Sequence, residues 1–336
     1  MKIAIGVFAH NEGASIAQML TDIDAQDIFA CDVPPEVFVL SNGSTDNTVA
    51  AARERARTLA HAERFHVVDL ETSGKSRTWN HFVHHVAEPA DILICIDADI
   101  QLTSTETFRR LADRLAANPQ LDVATSWPRK DLAEKERLTL RERLILLGGG
   151  TLGDMRNSLA GGLYALRGDV ARQIYMPIGL PVEDGFLRAM LVTRLLTEPE
   201  HRERVECDEA ISHVYQSESK VFSLVRHQIR LVVGSAVNAY IFDAIQQAPR
   251  DVTERARFLE KVSACEGFVS DTIRQATPTY PHGFVHFHFL TKRLKRLPRA
   301  GNLSKKLIIL VGFGLDLVVY LGASVVLARN KAQGFW

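Results

Sequence analysis

Residues 2–9, Lys-Ile-Ala-Ile-Gly-Val-Phe-Ala, form a short apolar run with β-branched positions, the pattern of a buried strand. Asn11-Glu12-Gly13-Ala14-Ser15 ends the run and opens a helix through about residue 25. Val37-Phe38-Val39-Leu40, Phe65-His66-Val67-Val68, Asp91-Ile92-Leu93-Ile94-Cys95-Ile96 and Val123-Ala124-Thr125 repeat the strand pattern. Between them, residues 45–60 (with Thr45 or Asp46 as cap), Lys75 to His85, and 104–117 read as helices. Strands alternating with helices predict a mostly parallel α/β sheet covered on both faces. Ligands of such sheets bind beyond the carboxyl ends of the strands. The turns Ser41-Asn42-Gly43-Ser44 and Asp97-Ala98-Asp99 sit at two such ends, so one crevice should hold both.

From about residue 128 the pattern loosens. Residues 129–143 read as a charge-dense helix, and 208–245 and 252–275 as helices with no clear strand. Leu307–Ala328 is a run of 22 residues whose only charge is Asp316, and Lys292 to Lys306 before it holds seven Lys/Arg. That is the length needed to cross hydrocarbon, about 20 residues, with cations placed for a cytoplasmic face. The favoured reading is membrane attachment through this helix; the alternative is a buried helix of a soluble cytoplasmic protein. Asp316 would need a partner in lipid, and Gly312, Gly314 and Gly322 would admit close helix packing.

Composition narrows the class. Lys+Arg 40 balance Asp+Glu 40 over 336 residues, which argues against nucleic-acid binding through bulk charge. Hydrophobic residues at 46% and charged residues at 24% exclude global disorder. Cys31, Cys95, Cys207 and Cys265 are far apart in sequence, with no CxxC pair, and read as reduced and mostly packing residues. The N-terminal run is too short for a signal peptide and breaks at His10-Asn11-Glu12, so the catalytic part is expected in the cytoplasm.

Asp97-Ala98-Asp99 follows an apolar strand directly. Two carboxylates so placed can share a hard divalent cation, Mg²⁺ or Mn²⁺, which bridges protein oxygens to substrate phosphates; the bland alternative is a solvated turn. Gly148 to Gly153 matches GxGxxG, but no clear strand precedes it and the regular alternation lies elsewhere, so NAD binding is a distant reading.

Six segments occur in a telling order: Ile5 to Glu12, Ser41 to Thr48, Gly74-Lys75-Ser76-Arg77 with Asn80, Ile96 to Asp99, Ala160 to Arg167, and Val182-Glu183-Asp184-Gly185. In these the chain resembles the family 2 glycosyltransferases over roughly residues 2 to 230. The resemblance implies a GT-A fold, a single nucleotide-sugar-binding α/β domain over 1–230. A helical or interfacial extension over 231–300 and the apolar C-terminal helix of 301–336 would follow it. It implies that Asp97 and Asp99 serve the donor diphosphate, with Asp99 the main metal ligand, Asp97 beside it and His213 a further candidate. Asp184 would be the general base of an inverting displacement, with Glu183 tuning it. Ala9, Asn11, Glu12, Asn42, Lys75, Gly161, Gly162, His227 and Arg230 would line the donor.

Two departures from that family's pattern matter. The turn after the second strand usually carries an acid and here reads Ser41-Asn42; a UDP-sugar stays the favoured donor through the Asn42 carbonyl. The Gln/Arg-x-x-Arg-Trp sequence of processive members is reduced to His227-Gln228-Ile229-Arg230-Leu231, which implies single transfer to a hydroxyl acceptor: a lipid, a saccharide or a small molecule. The competing classes are a sugar nucleotidyltransferase and a non-catalytic nucleotide-sugar-binding scaffold.

Overall fold

The computed structural model describes residues 1–87, 89–134, 155–216, 221–276, 284–299 and 301–329. Its centre is β1 (Ile3–Ala9), buried at every position. Alternate side chains leave a strand on opposite faces, and β1 shows the consequence. Ile3, Ile5, Val7 and Ala9 enter one hydrophobic cluster, while Ala4 and Phe8 enter the other. Gly6 lies on the second face because a Cβ there would stand 2.8 Å from the Phe82 ring.

β2 (Glu36–Asn42), β3 (Phe65–Leu70) and β4 (Ile92–Asp97) pair in parallel around β1. The sheet continues through β5 (Ile100–Leu102), β6 (Val123–Lys130), β7 (Leu163–Arg167) and β8 (Val205–Tyr215), in the order β3-β2-β1-β4-β7-β6-β8-β5. β7 is antiparallel to both β4 and β6, and β5 to β8, so the half of the sheet beyond β4 is mixed. Helices α1 (Ile16–Asp24), α2 (Thr48–Ala56) and α4 (Thr107–Ala117) cover the Ile5 face. The Phe8 face is covered by α3 (Lys75–His81), α5 (Glu183–Val192) and α6 (Val221–Gln246). The cap position of α2 is Asn47 rather than Thr45 or Asp46, although Asp46 Oδ1 accepts the Thr48 N–H at 2.9 Å.

Three expectations are corrected. Residues 208–215 belong to β8, not to a helix. Its apolar alternation is broken by a bulge, where one step on β6, Ser126 to Trp127, is matched by the jump from Asp208 to Ser212. Residues 129–130 end β6 and 131–134 form a 3₁₀ turn, so the charge-dense helix is not there; the rest of that segment, and the Gly148–Gly153 motif, lie outside the described residues. All four cysteines are free, but only Cys95 and Cys207 are buried, so Cys31 and Cys265 are not packing residues.

Beyond α6 come α7 (Val252–Ser263), α8 (Phe268–Gln275), α9 (His288–Leu294) and α10 (Leu303–Ala328). Residue 230, where the sequence suggested a domain end, lies inside α6. The 23 residues Lys306–Ala328 are long and apolar enough to cross a membrane by length and composition. Asp316 does find a partner: Arg293 of α9 donates to it through Nε at 2.6 Å and Nη2 at 3.0 Å. Gly312 makes the room, since a Cβ there would meet Arg293 Nη1 at 2.6 Å. Gly322 likewise admits Ile229 of α6, whose Cδ1 would lie 2.5 Å from its Cβ. Gly314 has nothing within 4 Å.

Candidate active site at the carboxyl edge of the sheet

The chain order reverses between β1 and β4, since β2 and β3 lie to one side of β1 and β4 to the other. A crevice opens at such a point. Here it is a cleft of about 340 Å³ lined by Ala9, His10, Glu12, Asn42, Lys75, Asp97, Asp99 and Arg230, among others. The Asn42 and Asp97–Asp99 turns do share it.

Local geometry fixes each wall. Asn11 takes φ +58°, a left-handed conformation that Asn tolerates better than most residues. Its amide N–H donates to Ser44 Oγ at 3.1 Å and its Oδ1 accepts the Thr45 N–H at 2.8 Å, so it bolts the β1 turn to the β2 turn. It is not among the residues lining the cleft. Asn42 Oδ1 accepts the Gly74 N–H at 2.6 Å. Gly74 has φ +143°, which only glycine adopts readily, and it sets Lys75 as the first residue of α3. Across the cleft, the Asp97 N–H donates to Gly162 O at 2.9 Å, so the Asp97–Asp99 turn rests on the glycine segment.

Lys75 sits between carboxylates. Its Nζ is 2.8 Å from Asp97 Oδ2 and 3.1 Å from Glu183 Oε1. Burial alone would lower the Lys75 pKa, but Asp97 and Glu183 together outweigh it and hold the ammonium well above its usual value. Burial pushes Asp97 up to about 6 despite Lys75. Burial would also raise Glu183, yet Lys75, a backbone N–H and Arg230 bring it below the ordinary range. Asp184, in the same first turn of α5, moves the other way, raised by burial and by the Glu183 charge. The two neighbours thus move apart, Glu183 below the ordinary carboxylate range and Asp184 above it. Glu183 Oε2 is buried with no hydrogen-bond partner among the described residues.

Both glycines of the Ala160–Arg167 segment are set by neighbours. A Cβ on Gly161 would lie 3.0 Å from Asp184 Cβ, and one on Gly162 would lie 3.1 Å from His213 Nε2. His213 is buried on β8, opposite Leu102 of β5. Ser126 Oγ donates to Leu163 O at 3.1 Å and lies 2.6 Å from His213 Nδ1. Nδ1 is thus engaged by Ser126, and Nε2 is the ring nitrogen turned toward Gly162. Burial lowers the His213 pKa to about 4, so the ring is neutral at neutral pH. Gly162→Ala is expected to lower stability by about 1–3 kcal/mol, because a pinned ring cannot retreat from the added methyl. The urea midpoint measures this, and an unchanged midpoint would refute the close approach.

Acids crowd this place. Glu12, Asp97 and Asp99 line the cleft, with Glu183 and Asp184 in the small adjoining pocket that shares Phe8 and Lys75 with it, against the cations Lys75 and Arg230. No cluster of three or more His, Cys, Asp or Glu is preassembled around a single metal position among the described residues. Asp97 is occupied by Lys75, whereas Asp99 is exposed in the cleft and accepts no hydrogen bond from the described protein. Arg230 reaches in from α6 while its Nε donates to Pro181 O at 3.2 Å. His227, one turn earlier, is exposed and not among the lining residues.

Sequence reasoning misses some contributors. His10 lines the cleft and pairs through Nδ1 with Asn42 O at 2.6 Å; its place at a strand end was the available signal. Gly234 and Asn238 of α6 clamp the residue before the acidic pair. A Cβ on Gly234 would stand 2.1 Å from Val182 Cγ2, and Asn238 Nδ2 donates to Val182 O at 3.0 Å. Trp79 Nε1 donates to Tyr164 OH at 2.9 Å beneath Asp184.

The model of the family described as glycosyl transferase family 2 matches residues 4–182, more than half of the chain. The chain belongs to glycosyl transferase family 2. It is a glycosyltransferase with a GT-A-like fold, a mixed sheet between helices followed by a helical C-terminal region. A mannosyltransferase from Pyrobaculum calidifontis, solved with GDP-Man and Mn²⁺, superposes with a TM-score of 0.59 at 16% identity, over 98% of this chain and 87% of that one. Glucosyl-3-phosphoglycerate synthase from Mycobacterium tuberculosis, solved with Mn²⁺, UDP and phosphoglyceric acid, gives 0.50 at 20% identity, over 70% and 78%. At these identities the likeness is one of fold. A comparison with curated proteins returns no match.

Proposed function

We propose that this family 2 glycosyltransferase moves one sugar from a nucleoside diphosphate donor to a hydroxyl acceptor, with inversion, using Mg²⁺ or Mn²⁺. The observation that carries this is the cleft's division. Asp97 and Asp99 stand on one wall, and the Glu183–Asp184 turn lies across Lys75 from them. A diphosphate entering among these acids needs more positive charge than Lys75 and Arg230 supply. Asp99 and His213 Nε2 are an oxygen and a nitrogen donor of the type such ions accept, with Asp97 as a further ligand once released by Lys75. A bound ion would offset the charge on the departing diphosphate.

This chain's own groups do the rest. The acceptor hydroxyl gives its proton to an Asp184 carboxylate oxygen as its own oxygen bonds to the anomeric carbon. The bond from that carbon to the diphosphate breaks on the opposite side, which inverts the centre. Arg230 faces the diphosphate from α6. Asn42 Oδ1 keeps a second lone pair beside the one given to Gly74, and this supports a uracil imide N–H as its partner, hence a UDP-sugar. The acceptor in this reading is lipid-linked, and the protein is held to the cytoplasmic side of a membrane by α10.

Calorimetry with UDP, GDP and dTDP, with Mn²⁺ and then chelator, tests the donor site. One nucleotide is expected to bind only with metal. Asp99→Ala is expected to weaken that binding by about a hundredfold or more, above the ~10–100-fold lost with a ligand's outer partners. A folded protein that binds none of the three would overturn the proposal.

A further inference from the structure

One face of α10 is covered and the other is not. Val319, Tyr320, Ala323 and Leu327 are buried against the domain, Gly322 lies under Ile229, and Gly312 and Asp316 lie under Arg293. Opposite them, Leu307, Val311, Gly314, Val318, Leu321 and Val325 recur at intervals of four and three residues, and all are exposed. Val311 is 68% exposed, Val318 54% and Leu321 55%. At 1.5 Å per residue this stripe runs about 27 Å, longer than any scattering of single surface apolar residues explains.

We propose that α10 lies flat in the headgroup layer of an anionic membrane, outer stripe down, and does not span it. This rests on the membrane reading above and adds the orientation. Charge chooses the occupant. Between residues 284 and 329 the only acid is Asp316, and it is bound to Arg293. Lys292, Lys295, Arg296 and Lys306 are exposed around the start of the stripe, and Arg329 ends it. A second copy meeting this face across a two-fold axis would set cations against cations in either direction, whereas anionic headgroups complement them.

Packing excludes the spanning orientation. Ile229, which touches α10 at Gly322, adjoins Arg230 of the catalytic cleft. A spanning α10 would draw Arg230 and the α9 cations into hydrocarbon, where such charges are disfavoured. Flat, α10 leaves the cleft next to the headgroups, within reach of a hydroxyl on a lipid.

The test uses the full chain with vesicles of phosphatidylcholine, with and without phosphatidylglycerol. Co-sedimentation is expected with the anionic vesicles and loss of it in high salt. Val318→Lys/Leu321→Lys is expected to weaken binding roughly tenfold or more, with nucleotide binding unchanged. If that variant does not fold, Lys295→Glu/Arg296→Glu decides, with a similar loss of about tenfold. A C-terminal tag is expected to be digested equally with and without detergent in membrane vesicles whose cytoplasmic face is outward. A tag protected until detergent is added means a spanning helix and overturns the proposal. So does absence of vesicle binding, whether the protein is monomeric or forms a dimer that Val318→Lys disrupts. Vesicle binding without any nucleotide binding would overturn the transferase reading and leave this one standing.

Discussion

Asp184→Asn is expected to lower kcat by about 10²–10⁴, the range general-base catalysis supplies, while donor affinity stays within about threefold. The amide keeps the shape of the carboxylate and its place at the start of α5, but it cannot take a proton. The pH profile separates a base from a structural residue. The working form is the carboxylate, and burial with the Glu183 charge raises its pKa. Activity should therefore fall as pH drops through a value above the ordinary aspartate range. Glu183→Gln removes the like charge and should move that acid limb to lower pH. A limb that stays in place, or an Asp184→Asn protein with full turnover, would remove Asp184 from the chemistry.

Lys75→Met should be the most destabilising single change at the site. It leaves Asp97 and Glu183 facing each other with no shared cation. Removing one partner of a fully buried pair costs ~3–5 kcal/mol. Lys75 and Asp97 keep 24% and 23% of their side-chain surface open, so solvent screens part of this; roughly 2–3 kcal/mol is expected here. The sign with pH is fixed. Lys75 has a raised pKa, so its contribution is present throughout the neutral range and is lost only in strong alkali. In the variant, the strain lies in an ionised Asp97, whose pKa is already about 6 with Lys75 in place. The deficit should therefore shrink as acid protonates that carboxyl. Urea unfolding at neutral pH and near pH ~5 measures this. An equal loss at both would show that Lys75 acts through packing alone.

Much of the sheet was legible because β1 and β4 are buried on both faces and carry near-continuous apolar runs. Asp97 and Asp99 were legible because they directly follow such a run. β8 was not, since its bulge puts residues 208–210 out of step just where alternation would have shown. Nor was the bridging role of Lys75, because residues 75, 97 and 183 meet only in the folded chain. The partner of Asp316 was required by its charge, but Arg293 is one of seven cations in that stretch and only packing selects it.

The position of β8 bears on biosynthesis. It fills the gap between β6 and β5, yet among the described residues it is the last strand to leave the ribosome. Until residue 205 emerges, β6 shows one bare edge, and β5 lacks β8, its one ladder partner among the described residues. Bare edges template wrong pairings and aggregation. The segment of residues 4–182 that the family model matches stops short of β8, so by itself it leaves that edge of β6 uncovered. A ribosome stalled within it would hold a nascent sheet in need of a chaperone.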